Sequence, residues 1–533
     1  MATILVCGSL AEAGLEVLRQ AGEVIVRPDL DDNQFRQALA EVDAVVVRSG
    51  TQVTASALES AFKLRVIARA GVGVDNIDVA AATRCGVLVV NSPVGNTLAA
   101  AEHTIALMLA AARRIPQAAS SLKAGHWDRN TYMGHQLLDK NLGLVGLGKV
   151  GAEVAKRALA FGMKVLAYDP YVSPEQAKAL GVTLLASLED LAAQADYLSL
   201  HCTLTPETEG MVDARLLGVM KREAVLVNTA RGGLIEEAAL AQALREGTIA
   251  AAALDVFAQE PTDNTELLQL PNLIATPHVG ASTEEAQTGV AVDAARQVVD
   301  VLNGRMPRWP VNAPPLSPEA LAAVAPYLDL VRSLGLLARS LMDGSPRRIE
   351  LAAAADLPGE HMDYLAGELV AAVLRGIVDG PLNSINAAIV AGERGIELAQ
   401  AKIEQTGGYS DLLQVRISTT AAELLIAGAL LGGSDIRIVR LDGYGLELLP
   451  RQTAVLIWNA QSGRPGFIGK LGTVLGAADI NITGMQVAPE TVAGVGLMAV
   501  TVADPITEPV RKQIVQLPGV QRVEIVDLNA HYS

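Results

Sequence analysis

The chain has 533 residues, half of them hydrophobic but only 3% aromatic, so it exceeds one core and its three or four domains must be built from Ala, Val, Leu and Ile. That composition suits parallel α/β layers covered by helices on both faces. A formal net charge of −16 argues against nucleic acid or an anionic membrane as the main partner, while a local cluster of arginines could still bind a small anion.

The N-terminus, MATILVCGSL, enters a strand at once and carries no basic n-region, so no signal peptide is expected. From Thr3 to about Val94, β-rich runs (ATILVCGSL, EVIVRP, DAVVVRSG, LRVIARAG, GVLVVNSP) alternate with helical stretches, which predicts βα units and a parallel sheet. A long helix, LAAAEHTIALMLAAA, follows from about Leu98 to Ala112, with His103 read as one of its structural residues. A second βα series opens at NLGLVGLGKVG and runs through MKVLAYDP, DYLSLHCT, AVLVNTARGG, AALDVFAQEP and NLIATPHVG. The helix after it, TEEAQTGVAVDAARQVVDVLNG, is expected to return to the first series, making that domain discontinuous. The Pro-rich stretch from Pro307 to Glu319 marks the next boundary. Two helical segments mixed with antiparallel-looking strands come next, and from Thr453 the order βαββαβ predicts a small ferredoxin-like domain. The expected division is 1–97 with 283–312, 98–282, 313–451 and 452–533. Apolar runs such as TIALMLAAA and LLIAGALLGG fall short of the roughly 18 residues that span a bilayer. Cys7, Cys85 and Cys202 show no metal spacing and suit a reducing compartment. A cytoplasmic protein without a metal is the expectation.

GLGKVG, Gly146 to Gly151, follows an apolar strand and opens a helix. Gly146 permits the tight turn, Gly148 lets backbone approach a pyrophosphate, and Gly151 allows close helix–strand packing. Asp169, 18 residues beyond Gly151, stands where a carboxylate accepts ribose hydroxyls and repels a 2′-phosphate, which favours NAD. Arg231, Asp255 with Glu260, and His278 follow three successive apolar strands, whose C-terminal ends line the crevice of a doubly wound sheet. Singly, such residues can be a surface ion pair, a solvated acid and a structural histidine. Together, beside the Gly-rich loop, they can take a proton from an alcohol, orient the base and clamp an α-carboxylate. Gly232 and Gly233 are expected to leave room for cofactor and substrate beside Arg231.

The stretches NLGLVGLGKVG, LLGVMKREAVLVNTARGGLIEEAAL, ALDVFAQEP and PHVGAST resemble the D-isomer-specific 2-hydroxyacid dehydrogenases. The likeness implies two Rossmann-like doubly wound domains, one binding substrate and one NAD, followed by an α+β intervening domain and a C-terminal ACT domain. It implies a catalytic set of Arg231, Glu260 and His278, with His278 the acid/base, Glu260 its partner and Arg231 the carboxylate clamp. It also implies cofactor contacts at Lys149, Val150, Asp169, Cys202, Thr229, Ala230, Arg231, Asp255 and His278 to Ala281, including Gly280. By the same likeness, Arg48, Arg69, the backbone at Val72 and Gly73, and Asn96 would bind the far end of 3-phosphoglycerate, with Arg129 a further contributor across a subunit boundary. A second substrate reading is 2-hydroxyglutarate, glycerate or lactate; a cleft for lactate or glycerate would not require the paired arginines. A third reading makes the chain an NADH-sensing binding protein. The tail resembles domains that hold serine through an asparagine, here Asn481, although Gly463 stands where they carry a polar residue. A homodimer through the nucleotide domains, or a tetramer, is what the resemblance suggests.

Overall fold

The computed structural model describes residues 1–314, 318–354, 357, 359–378, 381–403, 407–460, 465–488 and 494–528. Gly463 lies outside them.

The first sheet is entirely parallel and orders its strands Gly22–Arg27, Ala2–Cys7, Ala44–Val47, Val66–Arg69, Leu88–Asn91. Its strands are runs of Ile, Leu and Val because both faces are covered: Ile4, Val6 and Val46 point to one layer, Leu5, Val45 and Val47 to the other. The helix Glu284–Leu302 packs on the first of these layers through Val290, Ala294, Ala295 and Val298. Gly14 permits that approach, since a Cβ there would lie 2.8 Å from the Ala291 side chain. The segment after the helix lies against the strand Leu88–Asn91, where the Val89 N–H donates to Asn312 Oδ1 at 2.8 Å.

The helix Thr97–Ala112 carries the chain from the first sheet to the second. Its Ala101, Ile105, Met108 and Ala112 join Leu142, Leu144 and Val154 in one core. The second sheet, also parallel, runs Leu273–Ala275, Ala251–Leu254, Val225–Asn228, Tyr197–Leu200, Asn141–Val145, Lys164–Tyr168, Thr183–Leu184. The order reverses between Asn141–Val145 and Tyr197–Leu200, so a crevice opens outside the strand C-termini there.

The third sheet has six strands, mostly antiparallel, against which the helices Pro318–Leu341 and Gly359–Leu374 pack. Residues Glu319–Leu341 are long and apolar enough to cross a membrane by composition, which the apolar runs read from the sequence did not suggest. Here Val324, Leu330, Val331, Leu334 and Leu337 are core residues on that sheet. The fourth sheet is antiparallel, ordered Ile482–Ala488, Gly496–Val502, Thr453–Asn459, Val520–Asp527, with the helices Phe467–Ala477 and Glu508–Val515 on one face. Its other face shares the core of the third sheet through Ala454, Leu456, Leu497 and Val526. Asn383 and Asn386 tie the third unit to the first by donating to Gly86 O and Arg84 O at 2.6 and 3.2 Å.

Candidate active site

The strand Asn141–Val145 ends in the Gly-rich turn. Gly146 has φ 94°, in the left-handed region that glycine enters without cost. A Cβ on Gly151 would lie 2.3 Å from Gly146 O, whereas one on Gly148 would meet nothing within 4 Å. The turn is therefore tight where helix meets strand and open where a ligand would approach. The helix Lys149–Ala160 starts at Gly148 with no side-chain cap, so its first N–H groups face that opening. Asp169, after the strand Lys164–Tyr168, accepts from Leu147 N at 2.8 Å and from Tyr171 N at 2.9 Å, which fixes its carboxylate beside the turn. A dinucleotide fits this cradle: open backbone donors for phosphates and a fixed acid for ribose hydroxyls. Cys202 lies near Asp169, and burial pushes its thiol up to about 11, so it is an apolar contact rather than a nucleophile. The Lys149 ammonium lies over the Trp309 ring, 4.2 Å from the centroid; burial and the Arg308 charge lower its pKa.

The strands Val225–Asn228, Ala251–Leu254 and Leu273–Ala275 are neighbours in register, so the residues after them meet at one edge. Asn228, fully buried, clips the first turn: its Nδ2 donates to Arg231 O at 2.8 Å and its Oδ1 accepts from Ala230 N at 3.0 Å. Gly232 and Gly233 leave room for protein neighbours. A Cβ on Gly232 would lie 1.8 Å from the Phe257 carbonyl carbon, and one on Gly233 would meet the Leu204 side chain. They admit the loops that follow the two flanking strands.

His278 has φ 52°, an uncommon backbone for a side chain with a Cβ, and such strain clusters at functional sites. Its N–H donates to Asp255 O at 2.8 Å. Its Nδ1 lies 2.6 Å from Glu260 Oε2, and Glu260 Oε1 accepts from Phe257 N at 3.1 Å. A carboxylate can only accept, so Nδ1 carries the hydrogen and Nε2 keeps its lone pair for a substrate. Asp255 is buried. Burial alone would raise its pKa, but hydrogen bonds from His103, Thr276, Val279 N and Gly280 N outweigh that and lower it. The acid thus holds the loop 278–280 in place.

Across the cleft, the strand Val66–Arg69 leads into Ala70–Asp75. Arg48 and Arg69 end adjacent strands, and burial depresses the pKa of both. For Arg69 the charges of Arg48 and Arg231 add to burial, while Asp75 opposes them, and the result is about 10. Arg69 therefore lies in the fields of two other guanidinium groups, Arg48 from its own domain and Arg231 from the second. Gly71 and Gly73 admit the Arg69 and Arg231 side chains: a Cβ on either would collide with Arg69 Nη1 or Arg231 Nη2. Arg231 Nε donates to Asp75 Oδ2 at 3.1 Å, and its Nη1 to Ala230 O at 2.7 Å. Asp75, which sequence reasoning missed, is the acid facing this cluster. The loop backbone is held by Asn91 Nδ2 donating to Val72 O at 2.6 Å and Asn76 Nδ2 donating to Arg48 O at 3.0 Å. Asn96 caps the helix Thr97–Ala112 in position only: its Oδ1 is buried without a hydrogen-bond partner in the structure. Arg129 is exposed and outside the cluster. Asn481 is exposed at the start of a strand of the fourth sheet, with its N–H 3.3 Å from Asp504 Oδ2. Among the described residues no group of His, Cys, Asp and Glu is placed to hold a metal ion.

Residues 105–280 match the D-isomer specific 2-hydroxyacid dehydrogenase NAD binding domain, and residues 323–442 match the D-3-phosphoglycerate dehydrogenase intervening domain. The chain is 42% identical over 533 residues to a D-3-phosphoglycerate dehydrogenase of Synechocystis, covering 99% of this chain and 95% of that one. The chain belongs to the D-isomer-specific 2-hydroxyacid dehydrogenase family. A second full-length relative in the family, the D-3-phosphoglycerate dehydrogenase of Methanocaldococcus jannaschii, is 40% identical over 528 residues, 99% of this chain and 100% of that one. Among solved structures, the TT0316 protein of Thermus thermophilus is 37% identical with a TM-score of 0.54, covering 58% of this chain and 99% of that one. A D-lactate dehydrogenase of Aquifex aeolicus, solved with NAD and lactic acid, is 28% identical with a TM-score of 0.52, covering 56% of this chain and 96% of that one. NAD is the cofactor of the family's domain matched here, and the open Gly148 turn with Asp169 fixed beside it suits that ligand.

Proposed function

We propose that the cleft oxidises (2R)-3-phosphoglycerate to 3-phosphooxypyruvate, the entry step of serine synthesis, with His278 as acid/base. Bound NAD supplies the hydride acceptor. The loop Gly146–Gly151, Asp169, Cys202, Thr229, Ala230, Asp255, Gly280 and Ala281 would hold it. His278 Nε2 takes the C2 hydroxyl proton, and the Glu260 carboxylate on Nδ1 stabilises the imidazolium that results. Arg231 holds the C1 carboxylate through the Nη edge that Asp75 and Ala230 leave free, beside the backbone of Val72 and Gly73. Arg48 and Arg69 take the phosphate dianion.

The observation that carries this reading is the guanidinium cluster Arg48, Arg69 and Arg231. It is costly when empty, because burial and mutual repulsion both act against the charge on Arg69, and a substrate with anions at both ends relieves it. Glycerate or lactate would leave two of the three unpaired, and the far carboxylate of 2-hydroxyglutarate brings one negative charge where a phosphate brings two. The full-length relatives named for 3-phosphoglycerate support the same choice. We further read the chain as a cytoplasmic homo-oligomer, a reading supported by exposed apolar side chains such as Ile115 and Met133 on the nucleotide-binding half. The fourth sheet would be an ACT domain sensing serine near Asn481, a reading supported by its βαββαβ order. The test is an NADH-consumption assay with 3-phosphooxypyruvate, wild type against His278→Ala. Turnover should vanish in the variant while NADH still binds; equal rates would refute the role of His278.

A further inference from the structure

The helix Thr97–Ala112 joins the two halves, and two consecutive side chains on it reach the two loops that carry the reacting groups. His103 Nε2 lies 3.2 Å from Asp255 Oδ1 and 3.1 Å from Thr276 Oγ1. Thr276 donates to the same Asp255 oxygen at 2.6 Å, and a carboxylate only accepts, so Nε2–H is the donor shared between them. Asp255 in turn accepts from Val279 N and Gly280 N at 2.9 and 2.8 Å. His103 thus bears on the loop that holds His278 in its left-handed backbone. A Cβ on Gly280 would come within 3.7 Å of the His103 ring, so the imidazole also packs on that loop.

Thr104 is buried and gives its hydroxyl hydrogen to Ala100 O at 2.8 Å. Its 2.7 Å contact with Thr229 Oγ1 therefore has Thr229 as donor. Thr229 stands two residues before Arg231, in the turn that Asn228 clips. One helix turn thereby grips both strand ends at once.

We propose that His103 and Thr104 are positioning residues that set His278 and Arg231 relative to each other, His103 through Asp255 and Thr104 through Thr229. This rests on the roles proposed above for His278 and Arg231. The two grips act on different steps. Misplacing His278 weakens proton transfer, which is made only in the transition state, whereas misplacing Arg231 weakens the hold on the carboxylate in ground and transition states alike.

The experiment measures kcat and KM for 3-phosphooxypyruvate, with NADH dissociation constants by calorimetry, in His103→Leu, His103→Gln, Thr104→Val and Thr104→Ser. His103→Leu should lower kcat at least 10-fold with KM within about 3-fold. Thr104→Val should raise KM at least 5-fold with kcat within about 3-fold. His103→Gln, which keeps a donor at the Nε2 position, and Thr104→Ser, which keeps the hydroxyl, should recover most of the loss. NADH affinity should change less than the affected kinetic parameter in every variant, since Asp255, Gly280 and Thr229 also stand in the proposed cofactor cradle. If His103→Leu does not fold, His103→Asn, whose amide is too short to reach Asp255, takes its place. Unchanged kinetics, kcat and KM falling together in both variants, or Gln and Ser as impaired as Leu and Val would each overturn the proposal. His278→Ala and Arg231→Ala run in parallel: if those retain activity, the proposed roles fail first and independently of His103 and Thr104.

Discussion

Arg69 should be a residue that the empty enzyme is more stable without. Burial, then repulsion from Arg48 and Arg231, brings its pKa to about 10. Displacement of that size from an ordinary guanidinium corresponds to roughly 3 kcal/mol of differential interaction against the charged form. The folded-state pKa lies below the unfolded one, so the penalty is present in full at every pH below about 10 and fades as pH rises through that value. Arg69→Met keeps the aliphatic stem and removes the charge. It also removes the Nη1 hydrogen bond to Ala70 O, a loss of about 1 kcal/mol. The net expectation is a stabilisation of roughly 1–2 kcal/mol in urea unfolding near neutral pH. The same change removes a charge-assisted bond of about 1.5–3 kcal/mol to the phosphate, so KM should rise roughly 10- to 150-fold. Urea curves with and without 20 mM phosphate complete the test: phosphate should stabilise wild type more than Arg69→Met. A variant that is less stable than wild type, or whose KM is unchanged, would refute the reasoning.

Glu260→Gln keeps the shape of the His278 contact but removes the charge facing Nδ1; with both side chains partly exposed, kcat should fall about 10- to 100-fold, read by stopped-flow NADH oxidation, with NADH binding unchanged. Asp169→Ala frees the space beside the Leu147 and Tyr171 amides and should cut the NADH over NADPH preference in kcat/KM by about 10-fold or more, because the repulsion of a 2′-phosphate is gone. Gly232→Ala puts a methyl 1.8 Å from the Phe257 carbonyl carbon. Backbone must move to admit it, so unfolding free energy should drop by about 3 kcal/mol or more, with a matching loss of activity; a variant as stable as wild type would show that this turn yields freely.

The two parallel sheets were legible because their strands are short apolar runs that end in Gly, Asn or Asp, as at AVLVN and KVLAYD. The third sheet was less so. Glu397–Lys402 reads ELAQAK and lies at the sheet edge largely exposed, so it carries no apolar alternation. Glu423–Leu431 reads ELLIAGALL, apolar on both faces, and registered only as a hydrophobic run. In the cleft, Arg231, Glu260 and His278 could be placed at strand ends from spacing alone. Asp75 and His103 could not, because what gives them a part is a partner 156 or 152 residues away in the chain. Periodicity reports which face a residue takes, and these two depend on what another element brings to meet it. For the glycines after Arg231, sequence shows only that room is needed, not which protein neighbour needs it.

Trp309 offers an optical consequence. It stands on the segment that returns to the first sheet, where Asn91 N donates to its carbonyl at 3.4 Å, yet its ring carries the ammonium of Lys149 from the start of the nucleotide helix. The indole is thus shared between the two halves whose separation sets the width of the cleft. The other two tryptophans report elsewhere: Trp127 is exposed, and Trp458 stacks with Arg522 in the fourth sheet. With those two replaced by phenylalanine, the emission of the remaining indole becomes a gauge of whether the two halves keep this contact. Arg308, 5.0 Å from the same centroid, is its chain neighbour and stays with it, so a change in intensity would follow the distance to the Lys149 ammonium, without a dye.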